Sequence, residues 1–159
     1  MDNIGSLRQH LAELLIKGNA HLDFDKAVAG LPVELQGARP AGVPHSPWRL
    51  VEHLRIAQWD ILEFCREPAH QSPQFPDGYW PTGDSPPDDL AWDLTCARFR
   101  ADLRAMADLV TDSTVDPFAP IQGGDGQTVL KEALLVADHN AYHLGELVIV
   151  RRALGAWRD

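Results

Sequence analysis

Two histidines four residues apart, His139 and His143, lie in the C-terminal stretch DHNAYHLGELVIVRR, which reads as an amphipathic helix. Side chains at positions i and i+4 of an α-helix project from the same face, so both imidazoles can reach one metal ion. Apolar residues surround the pair, and burying imidazoles without partners is costly. The two histidines are therefore either metal ligands or core residues that are hydrogen-bonded to carboxylates.

A third histidine, His53, occurs in a second amphipathic stretch, SPWRLVEHLRIAQWDILEF, at a position that should face the core. Three neutral imidazoles suit zinc and nickel best, with iron or manganese as alternatives, and they leave coordination positions for water or substrate. An open position is typical of a catalytic metal site. An isolated H-x3-H pair is more often structural, but three histidines at matching core positions favour a divalent metal cofactor.

Four long helices, separated by loops rich in proline and glycine, would position these histidines. Ser46 and Pro47 are typical of a helix start, and Asp88 and Asp89 suit the positive end of the third helix. The sequence shows no strand alternation and no internal repeat. These patterns predict an all-α four-helix bundle with long crossover loops, in a single domain over residues 1–159. We expect the helices at about 4–29, 47–66, 87–110 and 127–154.

Helical-wheel positions place polar groups on faces that should be buried. In the fourth helix, Glu132, Tyr142 and Glu146 share the face of the two histidines. In the second helix, Asp60 shares the face of His53. The fourth helix also carries a second apolar stripe, which predicts either a central position in the bundle or a dimer interface. The third helix has one apolar stripe and no candidate ligand: Trp92, Cys96, Phe99, Leu103, Met106 and Val110.

The composition is typical of a soluble globular protein, with 45% hydrophobic and 23% charged residues. The formal net charge of −9 repels phosphate backbones, so no binding to nucleic acid is expected. The longest apolar runs are too short to span a bilayer. The two cysteines, Cys65 and Cys96, lack the basic neighbours that mark a nucleophile. With an N-terminal stretch unlike a secretion signal, they predict a cytoplasmic protein without disulfides.

Two stretches, HSPWRLVEHLRIAQWDILEF and VADHNAYHLGELVIVRRALGAW, resemble the DinB-like (YfiT-like) superfamily. The run YHLGELVIVRRALG is far more specific than H-x3-H alone, and the match extends over essentially the whole chain. The resemblance implies a four-helix bundle, usually a homodimer, with a divalent metal bound by one histidine of the second helix and the H-x3-H pair of the fourth. It assigns His53, His139 and His143 as the ligands.

The resemblance also implies a class of chemistry. Characterised relatives include metal-dependent transferases that use low-molecular-weight thiols such as mycothiol or bacillithiol, a mycothiol-dependent maleylpyruvate isomerase, and a cyclopropane hydrolase that protects against a genotoxin. The leading expectation is a metal-dependent thiol transferase or detoxification enzyme for a small-molecule substrate, with the thiol held as the reactive thiolate. The alternatives are a hydrolase that uses metal-bound water and a non-catalytic metal- or ligand-binding stress-response protein.

Three further residues are candidates for assisting catalysis: Asp60, Tyr142 and Glu146. Asp60 lies about two turns beyond His53 and could orient a ligand, meet a substrate, or simply pair with an arginine. Glu146 follows His143 by three residues and could hold that imidazole, or it could be a partly exposed acid facing an arginine. Tyr142 could donate a hydrogen bond to a substrate oxygen or merely fill space.

Two more pairs of residues could complete the site. His21 and Asp25 in the first helix could line the pocket, and His21 could be a fourth ligand or an ordinary core or rim histidine. Tyr79 and Trp80 lie in the proline-rich loop after the second helix, where an aromatic pair could cover the metal or anchor the loop.

Overall fold

A computed structural model describes residues 3–157 of the chain. The helices are α1 Asn3–Lys17, α2 Phe24–Val28, α3 Pro47–Arg66, α4 Ala91–Thr111 and α5 Val129–Ala153. Short 3₁₀ turns occur at Val33–Leu35 and Asp77–Tyr79. Within the described residues the only β-type pairing is an isolated bridge between Pro120 and Thr128. The predicted all-α fold is confirmed.

The four long helices surround a common core. α3 packs between α4 and α5, and α1 packs against the same two helices. α1 and α3 therefore occupy opposite corners of the bundle, although they are consecutive long helices in the chain. The segment that joins them must cross one end of the bundle, and α2, which belongs to this segment, packs against α5. This is the crossover that the long first loop predicted.

The first helix is shorter than the sequence predicted. Gly18 and Asn19 adopt positive φ angles of 64° and 46°, in the left-handed region that ends α1. Asp23 then starts α2 by accepting a hydrogen bond from the backbone N–H of Lys26 at 2.8 Å. The expected continuous helix is therefore two helices, since the backbone turn at Gly18 overrides the apolar periodicity on either side of it.

The other helix starts follow local capping chemistry. Ser46 caps α3 and Thr128 caps α5, each by accepting a backbone N–H of the first turn at 3.2 Å. α4 begins at Ala91 and not at Pro87 as predicted, because the Asp88 carboxylate binds a backbone N–H two residues further on within the loop. Among residues 3–157, none of these helices is both long and apolar enough to cross a membrane.

A polar layer divides the apolar core into two clusters. One cluster includes Leu50 and Leu147, and the other includes Leu62 and Val136. The intervening parts of α3 and α5 carry the polar side chains of the interior: His53, Gln58, Asp60, His139, Asn140 and His143. The fold thus places its interior polar groups halfway along the two helices that were predicted to supply ligands.

α5 buries one broad face and exposes the other. Asn140 lies near the centre of the buried face and is 7% exposed. Leu134, Tyr142 and Ile149 lie on the outer face and are 47%, 65% and 62% exposed. The prediction that Tyr142 shares the buried face is wrong, because Tyr142 lies nearly opposite Asn140 around the helix.

Candidate metal centre

Three imidazoles converge between α3 and α5. The Nε2 atom of His53 lies 3.1 Å from Nε2 of His139 and 3.2 Å from Nε2 of His143. All three candidate ligand atoms lie within 4.8 Å of one another. His53 is buried, and the two histidines of α5 are half-buried. The convergence predicted from the sequence is therefore present in the fold.

Hydrogen bonds at the far side of two rings determine where their protons reside. Nδ1 of His53 lies 2.8 Å from the backbone carbonyl oxygen of Tyr79, and a carbonyl only accepts. Nδ1 of His143 lies 2.6 Å from Oε2 of Glu146, which also accepts when ionised. Each Nδ1 must therefore carry the proton, which leaves the Nε2 lone pairs directed into the cluster.

The imidazoles of His53 and His139 are neutral near pH 7. Burial lowers the pKa of His53 from 6.5 to about 4, against the opposing effect of the hydrogen bond to the Tyr79 carbonyl and with a smaller lowering effect of the nearby His143. Burial, followed by the neighbouring His143 and His53, lowers the pKa of His139 to about 3. Neutral lone pairs this close repel one another unless a cation lies between them. The cluster therefore has the protonation state that metal ligation requires.

The spacing of the donor atoms fits a divalent metal. Zinc–nitrogen bonds of about 2.0–2.1 Å in a tetrahedral arrangement separate two nitrogen ligands by about 3.3 Å. The observed separations of 3.1 and 3.2 Å are close to this value. Three imidazoles also leave a fourth position for another ligand. His53, His139 and His143 could thus hold a metal ion, while their chemistry does not separate zinc from nickel or iron.

The 67–90 loop, which connects α3 to α4, covers His53. The Trp80 ring stacks on the His53 imidazole with centroids 3.8 Å apart and planes 3° from parallel. His45 stacks on Trp80 in turn, at 4.2 Å. Tyr79 supplies the carbonyl that binds His53. Trp80 therefore covers His53, whereas Tyr79 contacts it through the backbone carbonyl.

Asp60 fastens this loop to α3. Its carboxylate is buried, with 6% of the residue exposed. Oδ2 accepts a hydrogen bond from the Tyr79 hydroxyl at 2.6 Å, and Oδ1 lies 2.7 Å from Nε2 of His70. Burial and the bond to Asp60 raise the pKa of Tyr79 to about 12, so its hydroxyl stays a donor. Tyr79 therefore connects Asp60 to His53, because its hydroxyl binds Asp60 and its backbone carbonyl binds His53.

A cavity of about 440 Å³ opens beside the histidines. His53 and His139 form one end of it, and Lys131 and Glu132 lie further along α5 towards its N-terminus. Its remaining walls are mostly aromatic or aliphatic: Ala57, Ile61, Phe64, Phe75, Tyr79, Trp80 and Leu135. A small molecule bound here would contact the imidazoles at one end and ionic side chains elsewhere.

Some candidate residues lie away from this cavity. Tyr142 meets the edge of His143, with ring centroids 4.8 Å apart, but it is mostly exposed. His21 is exposed, and Asp25 forms an ion pair with Arg100 at 2.6 Å, both beside a different cavity between α1, α4 and α5. The prediction that these two residues line the histidine pocket is wrong, because the break after α1 redirects them.

Both cysteine thiols stay protonated near pH 7. Burial raises the pKa of Cys65 to about 12, with a further contribution from Glu132. Burial also raises the pKa of Cys96 to about 11. A reactive thiolate requires the opposite shift, so neither side chain has the properties of a nucleophile.

Sequence reasoning missed several groups that hold the site. The Tyr79 carbonyl is a backbone atom, and no residue type signals it. His45 and His70 were visible in the sequence, but their loops have no periodicity that predicts where they point. Gln58 and Asn140 were polar residues at interior positions of α3 and α5, a signal that was available and unused.

A family model described as the DinB superfamily matches residues 20–147. Searches of curated proteins and of solved structures found no match. The matched region contains His53, His139 and His143, together with α3, α4 and most of α5. It covers well over half of the chain. This protein therefore belongs to the DinB superfamily.

Proposed function

We propose that this chain is a divalent-metal-dependent enzyme in which a low-molecular-weight thiol attacks an electrophilic small molecule. The observation that carries the proposal is the set of three converging Nε2 atoms, 3.1 and 3.2 Å apart, beside an open cavity that His53 and His139 line. Bound at these atoms, zinc or nickel, or alternatively iron or manganese, would lower the pKa of a coordinated thiol and supply thiolate at neutral pH.

The charge of the site supports a thiolate. Three neutral imidazoles leave the charge of a dication uncompensated, which favours an anionic fourth ligand. The acids closest to the histidines are engaged as hydrogen-bond acceptors: Asp60 with Tyr79 and His70, and Glu146 with His143. A metal-bound thiolate, like a metal-bound hydroxide, needs no further base at the moment of attack.

The chain's own side chains would then orient and shield the reactants. His53 and His143 are held by Tyr79 and Glu146, and Trp80 excludes water from the His53 side. The thiol proton leaves to solvent, and the sulfur electron pair forms a bond to the electrophilic carbon as the leaving group departs with its own electron pair. The exposed Tyr142 hydroxyl would donate a hydrogen bond to a substrate oxygen that projects out of the cavity past His143.

Metal content and thiol conjugation test this proposal together. Protein purified without an affinity tag is analysed by mass spectrometry, next to His53→Ala, His143→Ala and the matched control His10→Ala, which changes an exposed histidine of α1. We expect near one metal equivalent in the wild type and the control, and loss in both site variants with the fold retained by circular dichroism. Thiol conjugation to a generic alkyl halide should follow the metal content.

Three results would redirect the assignment. Metal that is retained in both site variants would place the ion elsewhere. The site variants could lose the metal as expected while the wild type hydrolyses esters or amides and conjugates no thiol. This result would favour a hydrolase that uses metal-bound water. Tight metal binding with neither reaction would identify a binding protein.

We also propose that the protein acts as a homodimer. The outer face of α5 exposes Leu134, Tyr142 and Ile149, and a side chain at Gly145 on the same helix would meet no other atom within 4 Å. Such a face is suited to packing against another helix. Sedimentation equilibrium should give twice the chain mass of 17.6 kDa. Ile149→Glu should reduce the measured mass to that of a single chain. A monomeric wild type would refute the dimer without affecting the metal site.

A further inference from the structure

The cavity beside the histidines has a pair of opposite charges away from the three Nε2 atoms. Nζ of Lys131 lies 3.1 Å from Oε1 of Glu132, at the start of α5. The Glu132 side chain is only 6% exposed, while that of Lys131 is 62% exposed. Both residues line the cavity. A buried carboxylate next to a reachable ammonium group is an arrangement that a ligand with both charges can bind.

Lys131 is the only cationic side chain among the described residues that line this cavity. The cavity also contains two acids, and Asp60 is already bound by Tyr79 and His70. The chain as a whole carries a formal net charge of −9. An anionic ligand therefore needs a local cation, and Lys131 is the one available in the cavity apart from an ion at the histidines.

The spacing of Lys131 and His139 along α5 sets the distance between the charge pair and the histidines. Lys131 precedes His139 by eight residues in the continuous helix α5, which corresponds to about 12 Å along the axis. A salt bridge at Lys131 accounts for about 3 Å of this span. A ligand that reaches both points must therefore separate its sulfur from its carboxylate by several ångströms, up to roughly 9 Å. Cysteine is too short, because it carries these groups on adjacent carbon atoms.

We propose that the thiol used by this enzyme is an elongated one that ends in a zwitterionic α-amino-acid group. The carboxylate of this group binds Lys131, and its ammonium group binds Glu132. Leu135, one turn from each of Lys131 and His139, lies beside the middle of the thiol together with Phe64. This inference rests on the proposed thiol chemistry and specifies which class of thiol the site selects.

Two commercially available thiols separate this inference from simple metal ligation. Glutathione carries a γ-glutamyl zwitterion at the required distance from its sulfur, and cysteinylglycine, used with its amino group acetylated so that the nitrogen cannot bind the metal, keeps the same thiol without that zwitterion. Each is titrated into the cobalt-loaded protein, and binding is followed by the sulfur-to-cobalt absorption band. We expect glutathione to bind at least about 10-fold more tightly than cysteinylglycine, the gain typical of a charge-assisted contact.

Variants assign the gain to the charge pair. Lys131→Met and Glu132→Gln should each remove most of the preference for glutathione while leaving cysteinylglycine binding unchanged. Lys131→Glu should weaken glutathione further. Lys17→Met is the matched control, since it removes a lysine of similar exposure, 67%, from α1. Circular dichroism confirms that each variant is folded.

Two outcomes would overturn the inference in different ways. Equal binding of both thiols, or a preference for glutathione that Lys131→Met leaves unchanged, would show that thiols ligate the metal without using the charge pair. The proposed function would then stand without this refinement. An absorption spectrum that neither thiol alters, in protein that does hold cobalt, would refute the thiol function itself.

Discussion

Two polar clusters lie side by side in the middle of this bundle and satisfy their hydrogen-bonding groups in opposite ways. In the amide cluster, Nε2 of Gln58 donates to the Phe99 carbonyl at 2.7 Å, and Nδ2 of Asn140 donates to Oε1 of Gln58 at 2.8 Å. Each donor meets an acceptor along a chain from α5 through α3 to α4. In the histidine cluster, Nε2 of His53 lies against two other Nε2 atoms, and the protons of His53 and His143 are on Nδ1.

The difference separates a structural cluster from a binding site. Because the Phe99 carbonyl can only accept, it fixes the orientation of the Gln58 amide, which in turn fixes that of Asn140. One atom, Oδ1 of Asn140, is left without a partner. The histidine cluster instead brings three Nε2 atoms together, those of His53 and His143 as acceptors, with burial holding the pKa of His53 near 4. A protein interior tolerates this arrangement when a cation completes it.

Removing one of the three histidines should give the largest loss of metal affinity. We expect His139→Ala to weaken zinc binding by on the order of 100-fold or more, because each ligand carries a large share of the binding free energy. Zinc binding stabilises the native state, so a chelator should lower the Tm of the wild type. The same chelator should leave the Tm of His139→Ala unchanged. An equal chelator effect on both proteins would show that the zinc is bound elsewhere.

Removing the Gln58 amide should lower the stability of the protein more than it lowers the zinc affinity. Gln58→Ala removes the bond to the Phe99 carbonyl, which keeps its helical partner, and leaves the Asn140 amide without its acceptor, which should lower the free energy of unfolding by roughly 1–3 kcal/mol. Zinc affinity in the folded variant should change by less than about 10-fold. Gln9→Ala, at an exposed position of α1, is the matched control for urea denaturation. A Gln58→Ala variant whose zinc affinity falls by more than about 10-fold, while its free energy of unfolding hardly changes, would show that the two clusters act as one unit.

The same comparison explains what the sequence could predict. Histidine at interior helical positions is unusual, so periodicity alone located His53, His139 and His143, and the capping residue Ser46 located the start of α3. Helix periodicity does not describe loops, and the packing of the 67–90 loop on Asp60 was therefore not foreseen. The wheel also failed for Tyr142, because the buried face of α5 is centred on Asn140 and the histidines lie at its edge.

Acid should destabilise the metal-free protein through its histidines. The pKa of His53 is lowered to about 4 and that of His139 to about 3, from the usual 6.5. Below pH 6.5 the unfolded chain binds protons that the folded chain does not, so stability falls as the pH drops from 6.5 towards 4. His53 alone contributes at most roughly 3 kcal/mol to this loss.

Denaturation with urea in the presence of a chelator, at several pH values, measures this slope. The double variant His53→Gln/His139→Gln should have a flatter profile than the wild type between pH 6.5 and 4. His10→Gln, in the exposed part of α1, should retain the wild-type slope. An unchanged slope in the double variant would mean that other groups cause the acid sensitivity.

The smallest expected effect comes from the loop that joins the two kinds of interaction. The Tyr79 hydroxyl donates a hydrogen bond to Asp60, and the Tyr79 backbone carbonyl accepts one from His53. Tyr79→Phe removes only the first of these bonds. We expect zinc affinity to fall by about 10-fold, because groups that orient a metal ligand typically contribute 10- to 100-fold.

Competition with a chromophoric chelator measures this loss, and Tyr142→Phe is its matched control because the chain contains only two tyrosines. Tyr142 touches His143 only through its ring, so its hydroxyl should not affect zinc affinity. Asp60→Asn should weaken zinc binding to a similar extent, and the double variant Asp60→Asn/Tyr79→Phe should be no worse than either single change. Additive losses would show that Asp60 acts on the histidines by a route other than Tyr79, and would make His70 the next residue to test.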